Sequence, residues 1–372
     1  MQYIQTDEGL AETVRALATE SLLAVDTEAA GYHRYADRIC LVQLSTHERT
    51  FVIDALAVDL GALAPVFGDP RREILLHDAD YDLRLFARDH SIGIEHLFDT
   101  KVAAQFMGEP SIGLASLVEK HLGVKLDKKY QRADWAQRPL PTELLEYAAD
   151  DTRHLPALRD RMHDALESMG RLHWAREEFG LRASAEFDVR PDDTAFLRLK
   201  NIRDLNPRQL AALRELYDWR DRMAQERDAA PFRVLSNDML VAIAGRMPRS
   251  VEELRSGDID AAAARHARDL FEAVQRARAL PDSDLPSRRR GPRRPPPDPA
   301  FEARVEKLKS VRDKVATELS MDRGFLMPRQ QLEDIARSDP ATLDELAAVA
   351  EVRRWQVEAL GDRLLRVLRG SG

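Results

Sequence analysis

The chain has 372 residues, of which 44% are hydrophobic and 32% are charged. This is enough apolar material for two or three domains of about 100–200 residues each, which excludes a wholly disordered protein. The 56 lysine and arginine residues against 64 aspartate and glutamate residues give a net charge of −8. A surface that is positive throughout is therefore excluded, and a polyanionic partner must meet a local basic surface or bound metal ions.

Three features predict a soluble, cytoplasmic protein with no membrane contact. No window approaches the roughly 18 consecutive apolar residues of a membrane span. The first residues have neither a basic start nor an apolar stretch, so no secretory signal is expected. The single cysteine, Cys40, excludes an internal disulfide and a four-cysteine zinc site.

The first part of the chain alternates β-rich runs with helical patterns. Four apolar runs predict strands, and the first three are close enough to be consecutive and antiparallel; they are 22–25, 39–44, 51–53 and 74–77. Helical periodicity is present around 60–67, from Asp80 onward, and from 141 to about 170. This order predicts an α/β domain over 1–180, in which a mixed sheet is flanked by helices.

Beyond residue 190 the strand signals vanish and apolar residues recur at helical spacing. A proline-rich segment interrupts this pattern and predicts an extended linker over 283–299, because proline cannot continue a helix. The linker is either a solvated connection or an electrostatic contact for nucleic-acid phosphates. Its positive charge comes from Arg288, Arg289, Arg290, Arg293 and Arg294.

The segments on either side of this linker resemble each other at a constant offset of 92 residues, without a gap. Identical residues in this register include Arg220 and Arg312, and Leu240 and Leu332. The pattern predicts two small all-α domains in tandem, at 200–282 and 300–372. Trp219 and Trp355 are interpreted as core residues. The first copy also carries arginines that form either a binding face or a solvated surface, namely Arg220, Arg222, Arg227 and Arg233.

Two acidic residues follow the first predicted strand in the sequence Asp26-Thr27-Glu28. Side chains two positions apart on a strand point to the same face, so the two carboxylates lie side by side. Their repulsion raises a pKa unless a cation lies between them.

A second acidic group lies where a strand is predicted to pass into a helix. Either Asp78 or Asp80 is explained as a helix cap there. Asp82 precedes Leu85 and Phe86 by three and four positions, which places its carboxylate on the inward face of the helix. Further along, Asp99 is either a residue of the functional region or a helix N-cap.

The third acidic group is in the helix predicted around 144–155. Asp151 falls on one stripe with Leu144, Ala148 and Leu155, and Tyr147 precedes it by one turn. A carboxylate on an apolar face is costly unless it is paired or binds a metal. Four inward-facing carboxylates from three segments suit two divalent ions, Mg²⁺ or Mn²⁺, of the kind that catalyse phosphoryl transfer. Tyr147 would then orient the attacking water.

The order Asp26-Thr-Glu28, Asp82 and Tyr147-x-x-x-Asp151 resembles the tyrosine subgroup of the DEDD superfamily of 3′–5′ exonucleases. The stretch 131–140, running into the third motif, is similar to the ribonuclease D family, and the duplicated helical segments resemble HRDC domains. The resemblance implies a ribonuclease-H-like fold. It also implies metal-dependent hydrolysis of single-stranded RNA 3′ ends to nucleoside 5′-monophosphates, with tRNA precursors and other stable RNAs as substrates.

The same resemblance implies that Asp26, Glu28, Asp82 and Asp151 are metal ligands and that Tyr147 is the catalytic tyrosine. A 3′–5′ DNA exonuclease and an inactive nucleic-acid scaffold are the alternatives. Protein partners are not indicated. Many members of this superfamily have a larger apolar or aromatic residue directly after Asp-Thr-Glu, where this chain has Ala29 and Ala30.

The basic stretch 128–132 is the predicted grip on substrate phosphates, through Lys129 and Arg132. A solvated loop is the alternative for this stretch. Trp135 is interpreted as a packing residue.

Overall fold

The structure is a computed structural model that describes residues 1–127, 129–187, 193–255, 261–286 and 298–370. Lys128 and the five arginines of the predicted linker lie outside the described residues. The interpretation of that linker as a phosphate contact stays a prediction.

A six-stranded sheet forms the centre of the first part of the chain, with strand order β1-β4-β3-β2-β5-β6. The strand β3 is antiparallel to both its neighbours, whereas β1 with β4, β2 with β5 and β5 with β6 are parallel. The strands are β1 (Gln2–Ile4), β2 (Leu22–Ala29), β3 (Ile39–Ser45), β4 (Thr50–Asp54), β5 (Glu73–Leu76) and β6 (Leu97–Asp99). The predicted antiparallel run of three strands is therefore confirmed, as is the mixed sheet; β1 and β6 were not predicted.

The strand β2 lies in the middle of the sheet and is longer than its apolar run suggested. It continues through Asp26, Thr27 and Glu28, which therefore lie within the strand and not beyond its end. Asp26 is paired with Gln43 on β3, and the pairing shifts register after Glu28. The backbone that carries the two carboxylates is consequently held by its pairing with β3.

The described residues of this part of the chain form eight α-helices around the sheet. They are α1 (Asp7–Ala16), α2 (Ala64–Phe67), α3 (Asp80–His90), α4 (Thr100–Met107), α5 (Leu114–Leu122), α6 (Thr142–Arg153), α7 (Leu155–Ser168) and α8 (Leu172–Ala183). The helical periodicity predicted from 141 to about 170 is confirmed, and the chain forms two helices there, α6 and α7, with a break at His154. Pro156 in the first turn of α7 explains the break, because proline lacks the N–H that a continuous helix needs.

The described residues beyond 193 form no strand, as the sequence predicts. Their helices are α9 (Pro207–Glu226), α10 (Pro231–Val234), α11 (Asn237–Arg246), α12 (Val251–Arg255), α13 (Ala261–Arg265), α14 (Ala267–Ala279), α15 (Pro299–Leu319), α16 (Arg323–Leu326), α17 (Arg329–Ser338), α18 (Leu343–Ala347) and α19 (Arg354–Leu368). We call α9–α14 the first helical copy and α15–α19 the second helical copy. None of the described helices is long and apolar enough to cross a membrane.

The internal repeat extends to individual hydrogen bonds. Arg220 donates to the carbonyl oxygen of Leu235 at 3.0 Å, and Arg312 donates to that of Met327 at 3.1 Å. Both arginines are buried. Arg220 therefore holds a turn within its own domain, and its interpretation as part of a binding or solvated face is wrong.

The second helical copy shares a core with the first part of the chain. Phe106 on α4 packs against Phe325 and Trp355, each at 4.9 Å between ring centroids. The carboxylate of Glu177 on α8 accepts hydrogen bonds from the backbone N–H groups of Arg354 and Trp355, at 2.8 and 3.0 Å. Trp355 is a core residue, as predicted, but the core is a junction between two domains. The first helical copy has a core of its own.

Candidate active site

Two elements bring three of the predicted site residues together. Asp26 and Glu28 project from β2 toward α6, which packs on β2, β3 and β4. Asp151 lies near the end of α6. One carboxylate oxygen from each of Asp26, Glu28 and Asp151 lies within 4.8 Å of the others. The face of β2 that carries Asp26 and Glu28 and the stripe of α6 that carries Asp151 therefore contribute to one site.

Asp82 lies beside this group, in the first turn of α3. Its side chain is only 6% exposed. Thr27, between the two acidic residues of β2, donates its hydroxyl hydrogen to the Asp82 carboxylate. The predicted inward direction of Asp82 is confirmed, and the link to Thr27 fixes the carboxylate next to the strand that carries Asp26.

The first turn of α3, the helix that carries Asp82, is held by a residue that is distant in sequence. Asp99, at the end of β6, accepts hydrogen bonds from the N–H groups of Asp78 and Ala79 at 3.1 and 3.0 Å. It also accepts from Lys101 and Val102 at the start of α4, which confirms Asp99 as an N-cap. The N-cap position of α3 is Ala79, and no side chain caps it locally. The interpretation of Asp78 or Asp80 as a helix cap is therefore wrong.

Burial is the main cause of the electrostatic state of the four carboxylates. It raises the pKa of Asp26 and Glu28 well above their ordinary values, and repulsion by the neighbouring carboxylates adds to this rise. Burial also raises the pKa of Asp82 to about 6 and that of Asp151 to about 7. Half-buried carboxylates this close together, beside the buried Asp82, bind either protons or cations. Hard oxygen ligands in this number fit a divalent metal ion.

Tyr147 borders the same group from one turn earlier on α6. Its ring stacks on Trp135 at 6.1 Å between centroids, and Tyr130 packs edge-on against it at 5.7 Å. Burial, followed by the charges of Asp151 and Glu28, raises the pKa of the Tyr147 phenol, which stays protonated and able to donate.

The loop 129–141 that carries Trp135 is anchored to the sheet. Arg138 donates two hydrogen bonds to the carboxylate of Asp54 on β4, at 2.7 and 2.6 Å, and a third to the carbonyl oxygen of Cys40 at 3.0 Å. Tyr3 also donates to Asp54, at 2.8 Å. Trp135 is buried, as the packing interpretation predicts. The anchor holds it against the ring of Tyr147.

The two predicted phosphate contacts are associated with different cavities beside the carboxylates. Lys129 lines a cavity of about 440 Å³ together with Tyr147 and Asp151. A second cavity, of about 390 Å³, is lined by Glu28 and by the neighbours of Arg132 in the chain, Gln131 and Ala133. Lys129 and the neighbours of Arg132 therefore line different cavities, although they come from one basic stretch.

Gln43 was not predicted as part of this region. It is fully buried and faces the same side of the sheet as its strand partner Asp26. Among the residues that the structure describes, its amide has no hydrogen-bond partner. The signal in the sequence was a single amide within an apolar strand run, which is unusual because a buried amide without a partner is costly.

Comparison with known proteins agrees with this geometry. Residues 1–167 match the family model described as 3′-5′ exonuclease. Residues 209–274 and 301–368 each match the HRDC domain model, one match in each helical copy. The exonuclease match contains all four carboxylates and Tyr147.

Several similar proteins are ribonucleases D. That of Escherichia coli is 35% identical over 288 residues, covering 77% of each chain. That of Pseudomonas paraeruginosa is 32% identical over 379 residues, covering 100% of this chain and 98% of its own. The crystal structure of Escherichia coli RNase D superposes with a TM-score of 0.74 at 30% identity, over 99% of this chain and 98% of the other. The chain belongs to the ribonuclease D family, whose members are hydrolytic 3′–5′ exoribonucleases of RNA processing.

Proposed function

We propose that the chain trims single-stranded RNA from its 3′ end with two Mg²⁺ or Mn²⁺ ions, and that its substrates include tRNA precursors and other stable RNAs. The products are nucleoside 5′-monophosphates. The observation that carries the proposal is the convergence of Asp26, Glu28 and Asp151 within 4.8 Å, beside Asp82 and Tyr147. The similar RNase D of Escherichia coli is described as an exoribonuclease involved in structured RNA processing.

Asp26, Glu28, Asp82 and Asp151 would hold the ions. When bound, a pair of divalent ions stabilises the attacking and leaving oxygens of phosphodiester hydrolysis. The four side chains must be ionised to act as ligands, so binding of the ions releases protons from the site. Tyr147 donates a hydrogen bond that orients the attacking water, and its ring is held in place by Trp135.

Lys129 and Arg132 contribute to substrate binding at the two cavities beside the carboxylates. Each neutralises backbone phosphate without reading bases, so the proposed enzyme has little sequence preference. An inactive scaffold is disfavoured, because such a protein has no need to keep four mutually repelling carboxylates at the cost of burial.

The test is stepwise shortening of a 5′-labelled single-stranded RNA by the full chain, in Mg²⁺, in Mn²⁺ and in chelator. The variants Asp82→Asn and Asp151→Asn remove one proposed ligand each. The matched control is Asp150→Asn, because Asp150 is adjacent to Asp151 but ion-paired with Arg153 at 2.6 Å. We expect stepwise shortening that requires a divalent ion, a loss of at least about 10³-fold for the two ligand variants, and nearly full activity for the control.

A DNA strand of the same sequence is digested in parallel. Preference for DNA would replace the proposed substrate but keep the chemistry. No shortening of either strand under any metal condition would leave only the scaffold alternative. Equal loss of activity in the Asp150→Asn control would contradict the assignment of the ligands.

A further inference from the structure

Two exposed aromatic rings meet where the first helical copy contacts the exonuclease domain. Tyr32, in the loop after β2, is 40% exposed, and Phe232, on α10, is 48% exposed. Their ring centroids are 5.5 Å apart. Isolated exposed aromatic residues are common, but this pair is formed by two different domains. Exposed rings are the surfaces on which bases of single-stranded nucleic acid stack.

Two arginines are fixed around the same rings. The guanidinium groups of Arg233 and Arg132 lie 4.9 and 5.7 Å from the centroid of the Tyr32 ring. Arg233 also donates from Nε to the carbonyl oxygen of Tyr32 at 2.8 Å. Within the described part of the chain, neither guanidinium is paired with an acidic side chain. Their charges are therefore available to phosphates, while their positions are held by the aromatic ring.

The rings and the proposed metal ligands are connected by one cavity. The cavity of about 390 Å³ has Glu28 and Thr27 in its wall, and also Tyr32 and Pro231, the residue before Phe232. The junction is held by defined bonds, since Tyr35 donates to the carboxylate of Asp221 at 2.9 Å. A strand bound at the metal site therefore reaches the first helical copy without leaving the protein surface.

The charge distribution favours a strand path toward the two rings over a path through the cavity beside Lys129. The cavity beyond Asp151 and Tyr147 is lined by further carboxylates, with Lys129 as the lysine among its lining residues. These carboxylates belong to Asp127, Glu143, Glu146 and Asp150. Arg153 pairs with Glu146 and Asp150, which leaves the wall acidic on balance. The cavity toward the rings has two carboxylates in its wall, Glu28 and Asp37, with Arg132 and Arg233 beside the rings. A polyanionic strand therefore meets less negative charge toward the rings than beyond Lys129.

Comparison of the two helical copies supports a special role for the first. At the offset of 92 residues, Arg233 corresponds to Phe325 and Phe232 corresponds to Gly324. Phe325 is used for apolar docking against Phe106. The same short helix therefore contacts the exonuclease domain in both copies. In the second copy its arginine, Arg323, pairs with Asp313 at 3.4 Å, whereas in the first copy it presents an exposed ring beside an arginine that lies over Tyr32.

From this arrangement we infer that Tyr32, Arg132, Phe232 and Arg233, which we call the junction platform, bind the nucleotides of single-stranded RNA directly upstream of the scissile phosphate. The inference rests on the proposed exonuclease function, because it takes the polarity of the strand from 3′ attack. Phe232 offers the stacking face, and the two arginines contact phosphates. The second helical copy serves as a structural support.

The test measures binding of 5′-fluorescein RNA by anisotropy with the full chain in chelator, so that no hydrolysis is needed. An octanucleotide reaches the junction platform, whereas a dinucleotide occupies only the site beside the carboxylates. We expect Phe232→Ala to weaken octanucleotide binding about tenfold and to leave dinucleotide binding unchanged. Arg233→Gln is expected to weaken octanucleotide binding and to reduce its salt slope by about 0.7.

The matched control is Arg268→Gln in the same helical copy, since Arg268 is exposed and paired with Glu272 at 3.3 Å. It should leave the salt slope unchanged. Equal weakening of dinucleotide and octanucleotide by Phe232→Ala would overturn the inference, as would no weakening of either. Hydrolysis of the dinucleotide in Mg²⁺ is measured separately. Dinucleotide hydrolysis persists if only the junction platform is wrongly assigned. It is absent if the chain is not the proposed exonuclease.

Discussion

Asp99 accepts a hydrogen bond from the backbone N–H of Ala79 at 3.0 Å, although the two residues are 20 positions apart. The same carboxylate caps α4, so one buried side chain holds the first turns of two helices. Asp82 lies three residues beyond Ala79, in the turn that this bond fixes. The placement of a proposed metal ligand therefore depends on a residue that contacts no substrate.

Replacing Asp99 is expected to cost more than replacing an ordinary helix cap. Asp99→Ala leaves four backbone N–H groups without their acceptor, and we expect a loss of about 2–4 kcal/mol in the free energy of unfolding. The matched control is Asp59→Ala, because Asp59 caps a single exposed turn through Gly61. Urea denaturation measures both. Similar midpoints for the two variants would show that the double cap adds nothing.

Removal of the Tyr147 hydroxyl separates its proposed chemistry from its packing. Tyr147→Phe keeps the ring that stacks on Trp135, so the melting temperature should not change. We expect kcat to fall about 10²-fold, because a positioned hydrogen bond to the attacking water is lost. Single-turnover hydrolysis of RNA measures the effect. Tyr130→Phe is the control, since Tyr130 packs against the same ring edge-on; an equal loss in that variant would assign the effect to the aromatic cluster.

The four carboxylates predict how stability depends on pH in the absence of metal. The folded-state pKa is raised to about 6 for Asp82 and about 7 for Asp151, from 3.8 for each. Between the unfolded-state and folded-state pKa values, the folded protein therefore binds more protons than the unfolded protein. The contribution of these two groups to the free energy of unfolding is complete below about pH 4 and is lost as the pH rises through about 6 and 7. Each group contributes a slope of at most ~1.4 kcal/mol per pH unit.

Thermal denaturation in chelator across this range tests the sign of that dependence. We expect Mg²⁺ to stabilise the protein more at higher pH, because ions compete with protons for the same oxygens. The variant Asp151→Asn should flatten the slope in chelator. If stability in chelator rises steadily from about pH 5 to 8, the carboxylates are not the buried, mutually repelling group described above.

Docking of the second helical copy requires glycine at position 108. Gly108 ends α4 with a φ of +75°, and an added Cβ would collide with the backbone carbonyl oxygen of Ser320. Gly123 ends α5 with a φ of +72° but has open space around it. We expect Gly123→Ala to cost about 1–2 kcal/mol from backbone strain alone, and Gly108→Ala to cost roughly 3 kcal/mol or more because steric overlap is added.

Urea denaturation followed by tryptophan fluorescence compares these two variants, since Trp174 and Trp355 lie at the junction, 6.0 Å apart. Gly108→Ala should also alter the native fluorescence, whereas Gly123→Ala should not. Equal costs for the two substitutions would mean that the close approach to Ser320 carries no energetic weight.

The site could be predicted from the sequence to the extent that local patterns determine it. Alternation along a strand placed Asp26 and Glu28 on one face, and helical periodicity directed Asp82 and Asp151 inward. The repeat was visible because its offset of 92 residues has no gap. In each case the sequence pattern lies within a single strand or helix, or within one alignment of the two repeated segments.

Other features depend on contacts between distant elements and were not predictable. The strands β1 and β6 have three residues each, too few to show a period. The double cap by Asp99 requires the ends of β5 and β6 to be adjacent, which only the folded sheet provides. The different contacts of Arg233 and Phe325 follow from where each helical copy docks, although the two sequences are alike.

The central claim is that carboxylates from β2, α3 and α6 jointly bind divalent ions, and anomalous diffraction from crystals soaked in Mn²⁺ tests it most directly. The account predicts two peaks about 3.5–4 Å apart, bounded by Asp26, Glu28, Asp82 and Asp151. The Asp151→Asn variant should lose at least one of them. Mn²⁺ bound only elsewhere on the protein, with no peak among these four side chains, would contradict the account.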